Sequence, residues 1–352
     1  MNTSYVMSDD MALGLFDADG GIIMGADKKE TVNPSIAFKV TYFLGQSLSK
    51  RDAVEKFADK FCATTLVDEQ DVEFRVNQSS PEGQRFREFL LKNKPKNPYR
   101  LRDYYISEEI IPLLEQKTQQ SKVGQITLVR LVSNKSRLQK QDSGGELIFS
   151  NMCSYINATD AEIQQGSAIA DAILAKIEEK LEAYKQSETK LSDDYVLGVH
   201  YGDGSLYVSL TWKPTEKIQR LRCEPEWAIS GDNEAFCQLF ENQFDGTTKP
   251  VDNKGQRKFA LTGINKCLKI LPFFENASWM PEYKKEQFSR WKKSILLLKA
   301  QKHFTEEGIR ELLDLTYGLA EKGARIYTKD QYLEWGLAWV NDPSRQKRQP
   351  RG

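Results

Sequence analysis

The chain has 352 residues, and its hydrophobic content of 39% with 11% aromatics is enough for the cores of about two domains. Its 50 basic and 50 acidic residues leave no net charge, which excludes a uniformly basic surface, so any affinity for nucleic acid must come from a localised patch. No apolar run is long enough to span a bilayer, and five scattered cysteines without a CxxC pair argue against a zinc site or a disulfide framework.

The first predicted element is an apolar helix that ends in an Asp-Gly turn. Residues 12–20 have the sequence Ala-Leu-Gly-Leu-Phe-Asp-Ala-Asp-Gly and continue into a predicted strand. Gly14 and Ala18 are four residues apart and share one helical face, where small side chains would let a second helix approach closely. Asp19 would lie at the helix end, and the glycine after it would let the chain turn into the strand.

Alternating and helical patterns continue through the rest of the first half. The strand that starts at Gly20 is followed by strands over 34–42, 72–76 and 99–106, and by helices over 49–62, 81–91, 108–119 and from Lys122. A less regular part then separates the two halves. Its predicted elements are a hairpin or loop over 143–156, a long helix over 160–185 and a polar linker over 186–190.

The second half repeats the order of the first. Residues 196–204 have the sequence Val-Leu-Gly-Val-His-Tyr-Gly-Asp-Gly, and Asp203 follows Asp19 by 184 residues. Strands are predicted over 205–213, 218–229 and 256–262, with Pro225 marking a bulge or an end of the second, and helices over 232–244, 264–274, 282–301, 306–322 and 329–341. If the two motif helices pack side by side in parallel, Asp19 and Asp203 come close together. Two neighbouring carboxylates repel and need a shared proton or metal ions.

The two motifs resemble the signature of the LAGLIDADG homing endonucleases. Asp17-Ala18-Asp19-Gly20 matches that signature, whereas the second copy keeps Gly198 and Asp203-Gly204 but has Tyr201 in place of the first acid. In this family the last acid of each motif is the metal ligand and the earlier acid is largely structural. The departure at Tyr201 therefore does not by itself remove activity. The alternative interpretation is two chance Asp-Gly turns after apolar helices.

The resemblance implies both a fold and a reaction. The fold is α+β, with two pseudo-symmetric αββαββα subdomains that form a DNA-binding saddle and with the motif helices at their interface. The function is that of a monomeric, divalent-metal-dependent endonuclease that makes a staggered cut in double-stranded DNA at a long, asymmetric target site. Asp19 and Asp203, with the adjoining Gly20 and Gly204, would hold Mg²⁺ or Mn²⁺, because such ions prefer hard oxygen ligands and can activate the water that cuts a phosphodiester.

The family also has an active-site lysine at the start of a late helix in each half. Lys122 and Lys284 are each followed, at offsets of +4, +7 and +8, by two apolar residues and then a basic one. This spacing predicts equivalent positions, from which each ammonium group could orient water or stabilise phosphate charge. A solvated surface lysine is the alternative interpretation.

Solvent-facing strand residues are the candidates for DNA contacts, because a twisted antiparallel sheet can lie in the major groove. The candidates are Ser35, Lys39, Thr41, Arg100, Arg102, Lys213, Arg220, Arg222, Glu224 and Lys258. Within each arginine pair the two residues are two positions apart and would project from one strand face. Arginines suit guanine, and Glu224 could accept a hydrogen bond from cytosine. An ordinary solvated strand face is the alternative.

Four segments are predicted: a first subdomain over 1–141, an insertion over 142–190, a second subdomain over 191–343 and a basic tail over 344–352. The insertion could be a scaffold that brings the second motif beside the first, or an extra DNA clamp. The first ten residues have neither a secretory signal nor a transit peptide. Together with the resemblance, this predicts a soluble, intron-encoded product made inside an organelle, for which a plastid is favoured over a mitochondrion, and a bacterial product fits as well.

Two other functions stay open. An intron maturase would bind intron RNA as a splicing cofactor and need not cleave, but the retention of both Asp19 and Asp203 favours cleavage. A DNA-binding regulator derived from the same family would need an added recognition module, and the sequence has no convincing helix-turn-helix.

Overall fold

The computed structural model describes residues 5–30, 34–135, 144–185, 190–215, 218–231, 233–251, 256–319 and 327–342. The chain divides into two compact units, Met1–Gly202 and Asp203–Gly352. Each unit contains one four-stranded antiparallel sheet with helices packed against it. Within the described ranges, no helix is both long and apolar enough to cross a membrane.

The first unit begins with the first motif helix and alternates strands with helices. Its helices are α1 Asp9–Asp19, α2 Arg51–Lys60, α3 Pro81–Lys92, α4 Pro98–Glu115, α5 Lys122–Ser133, α6 Gly144–Tyr155, α7 Asp160–Lys185 and α8 Asp193–Asp203. Its strands are β1 Gly20–Lys29, β2 Ser35–Ser47, β3 Thr65–Val67 and β4 Asp71–Asn77, in the sheet order β1-β2-β4-β3. Helix α8 carries the second motif, and its last residue, Asp203, opens the second unit.

Alternation along the strands buries one face of this sheet. In β2, Val40, Tyr42 and Leu44 are buried, whereas the residues between them are less covered. The buried face packs on a cluster of phenylalanines in which the rings of Phe57 and Phe86 lie 5.8 Å apart. Such rings supply most of the apolar area that holds the helices on the sheet.

The segment between the motifs completes the core of the first unit. Helix α6 places Cys153 against Ile126 and Val129 of α5. Gly166 of α7 lies so close to α5 that a side-chain carbon there would be 2.7 Å from a methyl group of Ile126. The predicted hairpin or loop over 143–156 is therefore wrong, because its apolar residues recur at helical spacing and pack on α5.

The predicted strand over 99–106 is also wrong, because this stretch belongs to α4. The side chain of Asn97 accepts a 3.1 Å hydrogen bond from the amide of Tyr99, and Pro98 occupies the first turn, where its missing N–H costs nothing. The fourth strand of the sheet is instead the three-residue β3, which pairs with β4.

The second unit repeats the strand order of the first. Its strands are β5 Gly204–Thr215, β6 Ile218–Gly231, β7 Thr247–Lys249 and β8 Arg257–Thr262, in the sheet order β5-β6-β8-β7. Its helices are α9 Glu234–Gln243, α10 Ile264–Glu275, α11 Glu282–Lys299, α12 Glu306–Tyr317 and α13 Lys329–Val340. Strand β6 runs through Pro225, which pairs with Val208, so the predicted bulge or end is absent at this position. Two such sheets with their helices confirm the predicted α+β class.

Local backbone features recur between the units at the motif spacing of 184 residues. Lys117 and Gln301 both have left-handed backbone, with φ of 58° and 57°. Seven residues further on, Gly124 and Gly308 make the same close approach to the backbone. A side-chain carbon added to either glycine would lie 1.9 Å from a backbone carbonyl oxygen. Helix α5 therefore corresponds to α12, and α4 corresponds to α11.

Candidate functional site

The two motif helices touch through their glycines within the first unit. A side-chain carbon on Gly14 would lie 2.1 Å from the carbonyl oxygen of Tyr195, and one on Gly198 would lie 2.1 Å from that of Met11. The contact is reciprocal, because Met11 and Tyr195 occupy the same place in the two motifs. Close backbone approach of this kind requires glycine on both helices.

The carboxylate of Asp19 lies at the end of this contact. Asp19 is half-buried, and its Oδ2 accepts a hydrogen bond from Nε2 of Gln46, a buried residue of β2. A side-chain carbon on Gly202 would fall 2.3 Å from the same oxygen, so the last turn of α8 approaches the acid directly. Beside it, Nζ of Lys50 donates to the carbonyl oxygen of Gly202 at 3.3 Å.

The second acid, Asp203, is half-buried and is followed by Gly204 at the start of β5. Lys284, in the first turn of α11, is 2% exposed, and its Nζ donates to the carbonyl oxygen of Gly204 at 2.5 Å. The same ammonium donates to Oε1 of Gln287 at 3.3 Å. A buried ammonium group therefore contacts the residue that follows the second acid in the chain. Gly20, the first-motif counterpart of Gly204, donates its amide to the carbonyl oxygen of Phe16.

Asp17, the first acid of the first motif, is fully buried and ties three segments together. Its Oδ2 accepts hydrogen bonds from the amides of Lys96 and Asn97, at 2.7 and 3.2 Å, and from the hydroxyl of Tyr195 at 2.8 Å. Burial raises the pKa of this carboxyl to about 6, although the hydrogen bonds and nearby Arg100 oppose the rise. These contacts fix the start of α4 and the motif helix α8, which supports the predicted structural role.

The predicted equivalence of Lys122 and Lys284 is wrong. Lys122 begins α5, which corresponds to α12, whereas Lys284 lies in α11. The ammonium of Lys122 is exposed and donates to the carbonyl oxygen of Asn157 at 2.9 Å. The counterpart of Lys284 at the 184-residue spacing is Arg100 in α4. The matching offsets of +4, +7 and +8 do not indicate equivalence, because they occur on any two helices with similar apolar stripes.

The first sheet places three of the predicted DNA contacts on its less buried face. Ser35 and Thr41 are half-buried there, and Lys39 is exposed and forms an ion pair with Asp27 at 2.9 Å. These residues alternate with the core residues of β2, as their spacing predicts.

Arg100 and Arg102 do not lie on this sheet, because their predicted strand is part of α4. Arg102 is buried and forms an ion pair with Glu178 of α7 at 3.0 Å, which holds the inserted helix onto α4. Their prediction as a pair projecting from one strand face is wrong for both residues.

The second sheet has an open face whose described members include Tyr207, Arg222, Glu224, Glu226 and Lys258. Arg222 is exposed and donates to Glu224 at 2.5 Å, whereas Leu221, next to it on β6, is buried in the core. The predicted alternation on β6 is confirmed there. The backbones of Lys213 and Arg220 pair with each other across the β5–β6 hairpin. The side chains of these two residues are outside the part of the chain that the structure describes.

Four polar side chains on this second sheet surround a carboxylate that sequence reasoning missed. Glu226 is 3% exposed, and its two oxygens accept hydrogen bonds from Tyr207, Lys249, Lys258 and Thr262. Burial would raise the pKa of Glu226, but the hydrogen bonds from Tyr207 and the two lysines outweigh it and bring the pKa down to about 2.

Gln46 and Lys50 were also missed. Gln46 interrupts the row of apolar residues on the buried face of β2, which is a detectable signal for a polar role. Lys50 meets Gly202 across 152 residues of chain, and no local pattern predicts such a contact.

No protein-family model and no curated protein sequence matches the chain. Solved structures do match. I-SmaMI bound to uncleaved target DNA in the presence of calcium ions has a TM-score of 0.68 and 15% identity, over 89% of this chain and 98% of that one. I-SmaMI, described as a LAGLIDADG homing endonuclease, bound to cleaved DNA matches with a TM-score of 0.68 and 15% identity, over 90% and 98% of the two chains. The LAGLIDADG homing endonuclease I-LtrWI bound to target DNA matches with a TM-score of 0.67 and 14% identity, over 90% and 98%. These likenesses confirm the predicted resemblance at the level of the fold.

Proposed function

We propose that this chain, which has the fold of the single-chain LAGLIDADG homing endonucleases, is a monomeric, site-specific endonuclease. In this proposal it hydrolyses DNA with the help of divalent metal ions. One observation carries the proposal: α1 and α8 pack through reciprocal glycine contacts, and each ends in a half-buried aspartate. A fold that only needed to bind DNA would not require acids at both helix ends, where they oppose the helix dipole.

The donor chemistry at the helix ends fits a divalent metal ion. Asp19 offers a carboxylate whose approach from α8 is kept clear by Gly202, and Asp203 offers a second carboxylate with the carbonyl of Gly204 beside it. Mg²⁺ or Mn²⁺ held by Asp19 and Asp203 would activate the attacking water and stabilise the leaving oxygen. The calcium ions with I-SmaMI support a divalent metal, and the choice of Mg²⁺ or Mn²⁺ is a prediction.

The surrounding side chains orient the acids and supply positive charge. Gln46 holds one oxygen of Asp19, which fixes the plane of the carboxylate. Lys50 and Lys284 place their ammonium groups at the carbonyls of Gly202 and Gly204, the two glycines that flank Asp203 in the chain. From there they can stabilise negative charge on a phosphate as the P–O bond breaks.

The two sheets would contact the DNA target, and their differing side chains imply two different half-sites. Lys39 is paired with Asp27 on the first sheet, whereas the second sheet offers Arg222, Glu224 and the Glu226 cluster. Two sheets with different side chains support a long, asymmetric duplex site, and the staggered cut stays a prediction from the resemblance. The DNA in the matched structures does not favour the maturase alternative. The intron origin and the organellar location stay predictions.

The experiment is to incubate the protein and Mg²⁺ with a library of random duplex DNA and to sequence the cut ends. Asp19→Asn and Asp203→Asn should each lower the cleavage rate on the selected site by on the order of a thousandfold. Binding of the same site should change little, because the DNA-facing strands are untouched.

Asp10→Asn, in the first turn of the same helix as Asp19, is the matched control and should cleave at the wild-type rate. Cleavage near the wild-type rate by either motif variant would show that the acids are not the catalytic pair. If the wild-type protein binds an intron RNA and cuts no DNA, the maturase function replaces the endonuclease function.

A further inference from the structure

The open face of the second sheet contains a buried carboxylate that holds two lysines in fixed places. Oε2 of Glu226 accepts from Nζ of Lys249 at 2.9 Å and from Oγ1 of Thr262 at 2.9 Å. Oε1 accepts from Nζ of Lys258 at 3.0 Å and from the hydroxyl of Tyr207. Both carboxylate oxygens therefore have two donors each, and the cluster has one more positive charge than negative.

The lysines remain accessible although their ends are fixed. Their side chains are 36% and 38% exposed, whereas that of Glu226 is 4% exposed. Lys258 is held twice more, by the hydroxyl of Tyr207 at 2.7 Å and by the ring of Tyr207, whose centre is 5.3 Å from the ammonium. A long lysine side chain normally samples many rotamers on a surface, so this cluster removes most of that freedom before any partner arrives.

We propose that Glu226 is a positioning residue for sequence recognition: it does not touch DNA, and it fixes Lys249 and Lys258 as N–H donors aimed at a guanine edge in the major groove. The inference rests on the proposed endonuclease function and concerns how that site selects its target. Guanine presents two adjacent acceptors, N7 and O6, in the major groove, and no other base edge offers this pattern.

Electrostatics distinguishes this role from a direct contact by Glu226. A bare carboxylate on a DNA-facing surface would repel phosphates, whereas this one is neutralised by two ammonium groups and covered by Tyr207. Each lysine still has N–H groups beyond those given to Glu226, since an ammonium has three donors. Lys249 and Lys258 therefore present donors outward while Glu226 stays inside.

The test uses the target site selected by the wild-type protein and a panel of its single-base-pair variants. Lys258→Met should reduce discrimination against non-guanine bases at one base pair by about 5- to 100-fold, the range expected for a lost specific base contact. Glu226→Gln should reduce discrimination at the same base pair, either alone or together with the adjacent base pair. It should leave the affinity for unrelated DNA equal or stronger, because a negative charge has been removed.

Tyr207→Phe provides a second, milder variant if the buried Glu226→Gln substitution unfolds the unit. It removes the hydroxyl that orients Lys258 and should relax the same base pair to a smaller extent. Glu234→Gln is the matched control, because Glu234 of α9 pairs with Arg257 of β8 rather than with Lys249 or Lys258, and its discrimination profile should equal that of the wild type.

Two results would overturn the inference while leaving the endonuclease proposal intact. If Lys249→Met and Lys258→Met weaken binding to all sequences alike and reduce the salt dependence by about one unit of slope, the lysines contact phosphates. If Glu226→Gln relaxes a base pair that neither Lys249→Met nor Lys258→Met relaxes, Glu226 contacts a base itself. A wild-type protein that neither binds nor cuts DNA would instead overturn the function on which the inference depends.

Discussion

The hydroxyl of Tyr195 donates a 2.8 Å hydrogen bond to the buried carboxylate of Asp17, so the first acid of one motif is joined to the helix of the other. This acid is held apart from solvent, whereas Asp19, two residues later, is half-buried. One motif thus separates a structural acid from a candidate catalytic acid by a difference in burial.

Asp17 should make the free energy of unfolding depend on pH. Burial raises its pKa in the folded protein to about 6, above the ordinary 3.8, so the folded state binds a proton more tightly than the unfolded state. The stability from this proton is fully present below pH 4 and is lost as the pH rises through about 6, a change of about 3 kcal/mol. Denaturant unfolding of wild type and Asp17→Asn between pH 4 and 7, without metal, measures it. Equal pH slopes for the two proteins would contradict the prediction.

Gly198→Ala should destabilise the first unit. The added carbon would lie 2.1 Å from a backbone carbonyl oxygen on α1, and backbone cannot move aside as a flexible side chain can. We expect a loss of about 2–4 kcal/mol, at the upper end of single substitutions, or failure to fold. Gly45→Ala is the control, because its added carbon meets only the side chain of Glu73, at an ordinary 3.5 Å. Thermal unfolding of both variants compares them, and similar losses would show that the helices can separate without cost.

Lys284→Met should slow DNA cleavage by on the order of a hundredfold, the effect expected for one lost charge-stabilising donor. Its ammonium is buried against the carbonyl oxygen of Gly204, next to Asp203. Lys122→Met is the matched control and should cleave normally, because Lys122 is exposed and held by Asn157. Single-turnover cleavage rates at saturating protein provide the measurement, with unfolding curves to show that both variants are folded. A slow Lys122 variant beside a normal Lys284 variant would reverse the assignment.

Arg222→Ala should relax specificity at one base pair of the target, with a loss of about 1–3 kcal/mol for the preferred base. The guanidinium is exposed on the open face of the second sheet and is oriented by Glu224. Arg310→Ala, an exposed arginine of α12, controls for the loss of one positive charge. Binding to single-base variants at two salt concentrations separates base recognition from phosphate contact. Unchanged affinity, specificity and salt slope for Arg222→Ala would show that this sheet face does not meet DNA. The same assay applies to Arg220, for which the sequence makes the same prediction.

Most of the fold follows from the sequence because most elements bury only one face. The alternation in β2 and β6 and the apolar stripes of α2 and α9 are of this kind. Helix α4 is different: Leu101 to Ser107 are all buried, so the stretch has no solvent-exposed face and its short alternation resembles a strand. The three-residue β3 is too short to give any periodic signal.

The site was only partly predictable for a similar reason. Asp19 and Asp203 are found by repetition alone, since a motif that recurs after 184 residues needs no structural knowledge. The offset pattern that points to Lys122 arises on any helix with an apolar stripe and does not require a shared position. Gln46, Lys50 and Glu226 act through contacts between distant segments, and these depend on tertiary packing rather than on local sequence.

The packing of α6 and α7 onto α5 limits where this chain could be joined to a related chain. A chimaera joined near residue 141 would separate Ile126 from Gly166 and Arg102 from Glu178. The first part would then expose the apolar surface of α5 to solvent. The interchangeable piece is longer than the repeated motif suggests, because it includes the inserted helices through Lys185. A junction placed after Lys185 keeps this core whole.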